Sequence, residues 1–104
     1  MSLELLRKHH LSEDRGARLR ENVSRLNLQV SQAEDDVQRE IALCQEMLEV
    51  MTSGPDGVRV VAAMEMPSMR ESRDRALGKL DKLRRERDEV RLRLDHYNML
   101  RRSL

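Results

Sequence analysis

Residues 19–37 read LRENVSRLNLQVSQAEDDV, and within them Leu19, Val23, Leu26, Val30, Ala33 and Val37 recur at spacings of 4, 3, 4, 3 and 4. A mean period of 3.5 residues holds one apolar stripe on one side of an α-helix. Sustained over heptads, it predicts a coiled coil with a left-handed supercoil. The stripe continues through Glu40, Cys44, Met47 and Met51, so the first helix is read as residues 12–52. Val23, Val30 and Val37 take the a positions, and Leu19 and Leu26 take d. β-Branched residues at a with Leu at d favour a parallel two-stranded partner. Late in the helix a second stripe appears, Ile41 with Leu48 and Leu43 with Val50. A wider apolar face asks for more than one neighbour there.

Residues 1–11 read as an extension or a short helix of their own. Ser12, followed by Glu13 and Asp14, has the form of a helix start: a cap oxygen, then acids at the positive end of the dipole. Gly16 weakens a helix by about 1 kcal/mol relative to Ala. Ser53-Gly54-Pro55-Asp56-Gly57 is turn chemistry, with Gly for positive φ, Pro for fixed φ and Asp for side-chain capping. The apolar run from Val58 to Met66 is read with it as a turn and linker, residues 53–67, whose side chains cover the end of a bundle. Ser68 and Glu71 form a capping box directly after Pro67, so the second helix is expected over residues 68–104. Its stripe runs Met69, Arg73, Ala76, Leu80, Leu83, Arg87, Val90, Leu94, Tyr97, Arg101 and Leu104, again at spacings of 3 and 4. The arginines on this seam either fix register or lay their stems along it while the guanidinium heads reach rim acids.

The expected fold is all-α: two long helices in a helical-hairpin coiled coil. Two such hairpins could pair through the first helix into a bundle, and a homo-oligomer, a dimer, is the expected state. Composition agrees. Charged and apolar residues each make up 38% of the 104 residues, Phe and Trp are absent and Tyr97 is the only aromatic, which suits a thin seam better than a thick core. Residues 1–53 carry 7 Lys+Arg against 10 Asp+Glu, and residues 54–104 carry 13 against 9. Helices of opposite sign favour pairing with each other.

Little here suggests catalysis, and no enzyme, metal or cofactor is expected. His10 and Asp14 lie four apart, but a metal site needs more ligands and a shaped cavity. Cys44 is the only cysteine, so no intrachain disulfide forms, which fits a reducing cytoplasmic or nuclear setting. No apolar run approaches a membrane span. Phosphate-binding loops, nucleophile elbows and zinc-protease motifs are missing. What remains is a basic stretch. Residues 79–102 hold nine cations against five acids, and Lys79, Lys82, Arg84, Arg85, Arg91 and Arg93 are the candidates for contact with a polyanion. Nucleic acid fits poorly, with one aromatic for stacking and acids interleaved throughout. A lipid surface fits poorly because the stripe is narrow and lacks Trp and Phe. The plain alternative is a solvated helix with i,i+4 pairs.

The valine seam Val23, Val30, Val37, the turn at Ser53–Gly57 and the basic run from Lys79 to Arg93 together resemble the coiled-coil region of the kinetoplastid microtubule-binding kinetochore proteins. The likeness is one of character over the whole chain, without a diagnostic motif. It implies a cytoskeletal or kinetochore protein, nuclear or cytoplasmic, whose basic residues face tubulin. The expected function is therefore a structural interaction module. The alternative is an adaptor that captures a partner helix or a small GTPase on its apolar stripe.

Overall fold

The computed structural model describes residues 2–5 and 11–103. The chain is all-α: α1 spans Glu13–Ser53 and α2 spans Asp56–Ser103, the two packed as a helical hairpin. No strand occurs among the described residues.

Helix α1 starts as its sequence directs. The Ser12 hydroxyl accepts the Arg15 N–H at 3.3 Å, the Ser12 carbonyl accepts the Gly16 N–H at 3.2 Å, and Glu13 and Asp14 occupy the first turn. These satisfy donors that a helix start leaves without intrahelical partners. The helix end has no basic residue in its last turn. That role comes from across the break, where Arg59 Nε donates to the Gly54 carbonyl at 2.7 Å.

The break between the helices is only Gly54-Pro55. Gly54 N–H still donates to Val50 O at 2.9 Å, and Pro55, which has no N–H, cannot extend that ladder. The Pro55 carbonyl then accepts Arg59 N–H at 2.9 Å and opens α2. No described glycine has positive φ. Gly54 serves proximity instead, since a Cβ there would fall 2.6 Å from Val50 O.

The expected linker over residues 53–67, and a helix start at Ser68, are both corrected. Helix α2 begins at Asp56 and carries Pro67 inside it. The seam explains why. Ala62 and Met66 precede Met69 at spacings of 4 and 3, and both are buried, so the heptad frame runs through the proline. Pro67 removes one i→i−4 bond, to Ala63, but both residues lie on the exposed side, where water can serve the carbonyl. Val58, Val60, Val61 and Met64 do not cover a bundle end; all four are exposed.

The chain divides into two compact units. Unit 1 joins Met1–Gln29 to Leu83–Leu104. Its helices are antiparallel: Tyr97 meets Ser12 and Gly16, Arg101 reaches Glu13, and Arg91 reaches Asn27. Leu11, Leu26 and Tyr97 are buried, and Leu19, Val23, Leu83, Val90 and Leu94 are half-buried. Unit 2, Val30–Lys82, holds the turn, and Val30, Ala33, Val37, Cys44, Ala62, Met66 and Leu80 are buried in it. The valine seam, whose a positions favoured a parallel partner, is thus covered within the chain. Among the described residues no polar side chain is buried and no large one is wholly enclosed. The core is a seam one layer deep.

Candidate functional site

Tyr97 anchors unit 1. Its ring lies against Gly16, where an added Cβ would fall 2.5 Å from the hydroxyl and 2.7 Å from two ring carbons. The hydroxyl donates to the Ser12 carbonyl at 2.9 Å and accepts from Arg101 Nη1 at 2.8 Å. Arg101 Nη2 donates to Glu13 Oε1 at 3.1 Å. Tyr97 leads and Glu13 follows in holding the Arg101 guanidinium charged, and its pKa lies above the ordinary arginine value. The ion pair itself is exposed, and pairs of that kind contribute little. The binding element is the ring in its glycine notch, with both hydroxyl bonds made. The heptad frame put Gly16 and Tyr97 on the two seams, but Gly16 looked like a weakness in the helix. A seam glycine in a chain with a single seam aromatic was the available signal.

The other two seam arginines follow the snorkelling pattern. Arg73 bonds Asp74 through Nε and Nη2, and Arg87 bonds Asp88 through Nε, each with the neighbouring residue of its own helix. Their stems are half-buried and the aspartates are exposed. Arg87 is thereby paired with Asp88. In unit 2, Arg73 lines one groove with Ile41 and Cys44.

The six candidate cations are all exposed, but they do not form one face. In the heptad frame of α2, Lys79 and Arg93 lie on one flank of the seam and Arg84 and Arg91 on the other. Lys82 and Arg85 point outward. Lys79 and Lys82 belong to unit 2 and the four arginines to unit 1. Arg93 bonds Glu89 at 2.6 Å and Arg91 bonds Asn27 at 3.4 Å. An acidic row, Asp74, Asp81, Asp88 and Asp95, recurs every seventh residue on the same exposed surface.

Charge segregates by unit as well as by helix, where α1 is net −4 and α2 net +4. Unit 1, residues 1–29 and 83–104, carries thirteen Lys+Arg against eight Asp+Glu, a net +5. In unit 2, residues 30–82 carry seven against eleven, a net −4. Arg15, Arg18, Arg20 and Arg25 of α1 therefore join the α2 arginines in one basic unit, and the linear charge count missed them.

Unit 2 also keeps apolar surface. Ile41, Cys44, Leu48, Met66 and Leu77 line an open groove of about 420 Å³ with Arg70 and Arg73 at its rim, and Leu48 and Leu77 are 43% and 42% exposed. The second stripe read in the sequence is therefore present, and among the described residues no element fully covers it. In unit 1, Leu92 and Met99 stand exposed beside Asp95 and His96.

Among the described residues, no group of three or more His, Cys, Asp or Glu is placed to hold a metal. Their helices include none long and apolar enough to cross a membrane. His9 and His10 lie outside the described residues. Cys44 is a buried free thiol. No protein-family model, no curated protein and no solved structure matches the chain.

Proposed function

We propose that this chain is a structural interaction module, a two-helix scaffold that offers partners a basic unit and an acidic one. The segregation of net +5 and net −4 between the two units carries the reading. The single-layer core and the open, shallow concavities are what a scaffold needs and what substrate capture lacks. In the cytoskeletal or kinetochore setting that the resemblance implies, unit 1 is the part that would meet the acidic tails of tubulin. Arg84, Arg85, Arg91 and Arg93 of α2 and Arg15, Arg18, Arg20 and Arg25 of α1 would supply the field.

Microtubule co-sedimentation across a salt titration tests this. Binding is expected at low salt, falling as salt rises, and lost when Arg84, Arg85, Arg91 and Arg93 are reversed to Glu. No binding at low salt, or binding indifferent to the reversal, would overturn the tubulin assignment. A second reading, the adaptor that captures a partner helix, is favoured by one observation: the apolar groove of unit 2 between Leu48 and Leu77. An amphipathic helix would lay its apolar face there with acids toward Arg70 and Arg73. Substituting Leu48 and Leu77 with Ser would abolish that capture and leave microtubule binding intact.

A further inference from the structure

We propose that the anion-reading surface of this module is a row on α1, formed by Arg15, Arg18, Asn22, Arg25 and Gln29, and that its ligand is an extended acidic peptide. This rests on the interaction-module reading and names the partner's chemistry and its seat.

The row follows from the heptad frame. With Val23 and Val30 at a, the residues Arg15, Asn22 and Gln29 fall at g, and Arg18 and Arg25 at c, so the five share one flank of α1. Their spacings of 3, 4, 3 and 4 keep the row straight over about 21 Å, at about 1.5 Å per residue. All five are exposed or half-buried. None is an acid, and each can donate hydrogen bonds to a carboxylate.

The two helices of unit 1 differ in how their arginines are neutralised. Between Asp14 and Glu34, α1 carries four arginines and a single acid, Glu21, which takes the outward f position beside the row. Residues 83–103 of α2 carry seven arginines with four acids interleaved. Those acids take arginines: Arg87 bonds Asp88, and Arg93 bonds Glu89. On α1 the acceptors are neutral. Arg25 Nη2 donates to Asn22 Oδ1 at 3.4 Å, and Arg18 Nε donates to the Asp14 carbonyl at 3.4 Å. Among the described residues neither guanidinium has a carboxylate partner. A neutral acceptor orients the group and leaves its charge, with most of its five N–H donors, for an outside anion. An incoming carboxylate therefore displaces no internal one.

The row favours peptide over nucleic acid. It holds no aromatic, and the chain's one aromatic, Tyr97, is buried, so bases have nothing to stack on. About six residues of extended chain span the row, at about 3.3 Å each, which sets alternate carboxylates along the arginines.

The test is fluorescence anisotropy of a labelled oligoglutamate peptide against the full-length chain at about 50 mM salt. The parent should bind. Arg18→Glu with Arg25→Glu should weaken binding by at least about thirtyfold, whereas Arg84→Glu with Arg85→Glu, the same change in net charge, should weaken it only about threefold. All four positions are exposed, so far-UV circular dichroism should match the parent. Glu21→Gln, which removes the acid beside the row, should tighten binding about twofold, and weaker binding there would overturn the row. Equal losses from the two arginine pairs would make the attraction a diffuse field and overturn it as well. An oligonucleotide of equal charge that binds more tightly than the peptide would overturn the ligand class. Microtubule binding that falls with the α2 pair and not with the α1 pair would overturn this surface while leaving the interaction-module reading standing. A parent that binds neither peptide nor microtubules would remove both.

Discussion

Gly16→Ala is the sharpest perturbation of the fold, because helix propensity and packing give opposite signs. In an exposed helix the change stabilises by about 1 kcal/mol. Here the new methyl would sit 2.5 Å from Tyr97 Oη and 2.7 Å from Cε1 and Cζ, inside contact distance. The ring would have to move off the notch. Overpacking of this kind costs about 1–3 kcal/mol. Moving the ring also strains the bonds from Tyr97 to the Ser12 carbonyl and from Arg101 to Tyr97, and leaving a buried hydroxyl without partners costs about 1–3 kcal/mol. Net of the propensity gain, the expected effect is destabilisation by about 1–3 kcal/mol. At about 4–8 °C per kcal/mol for domains near this size, the melting temperature falls by roughly 4–24 °C. The control is the same substitution in a Tyr97→Leu background. With the ring gone, Gly16→Ala should become neutral or stabilising by up to about 1 kcal/mol, a coupling of about 1–4 kcal/mol. Urea unfolding followed at 222 nm, at one fixed protein concentration, reads all four corners of the cycle. A Gly16→Ala chain at least as stable as the parent, with Tyr97 in place, would refute the notch.

Three further outcomes follow from the same geometry. Pro67→Ala should stabilise by about 1–3 kcal/mol, because a donor returns to the helix interior and no buried contact is lost; a neutral result would mean residues 53–67 act as a linker after all. Ser12→Ala should cost about 1 kcal/mol while Ser68→Ala changes stability by less than about 0.5, since only Ser12 caps a helix; equal losses would contradict the start at Asp56. The Arg101 pKa is raised in the folded state, so its contribution is complete below the unfolded arginine value and is lost only in strong alkali as pH passes the folded value. The stability difference between the parent and Arg101→Gln should therefore stay flat from about pH 5 to about pH 9, and a slope in that window would place the titrating partner elsewhere.

The two seams were legible because period is a property of neighbours along the chain. Leu19, Val23, Leu26, Val30 and Val37, like Leu80, Leu83, Val90 and Leu94, all lie inside or half inside the fold. Local rules failed where a long-range contact outweighed them. The capping box at Ser68 and the proline before it are sound local reasons for a helix start. Yet Ala62 and Met66 gain more from the seam than the proline loses, and the frame 62, 66, 69 was already in the sequence. Gly16 fails the same way: its cost is counted locally, while its use, a seat for Tyr97, lies across the hairpin.

Charge shows why the surfaces were harder to read than the core. A window along the chain sums residues that are neighbours in sequence, and split at residue 53 it returned an acidic half and a basic half. An antiparallel hairpin makes neighbours of residues from opposite ends. Residues 13–29 come to rest against 83–103, so the four α1 arginines add to the field of the α2 arginines, and the acids of residues 30–53 are left with the sparser cations of residues 54–82. The basic run at residues 79–93 is therefore a poor unit of function, because it crosses from one unit into the other and wraps around its helix. Once the register is known, the relevant quantity is the charge of each packed unit. That quantity changes which cations should be mutated together: Arg15, Arg18, Arg20 and Arg25 belong with Arg84, Arg85, Arg91 and Arg93, while Lys79 and Lys82 belong with the acidic unit. Salt-dependent binding of a polyanion should therefore weaken far more when the unit 1 arginines are removed than when Lys79 and Lys82 are.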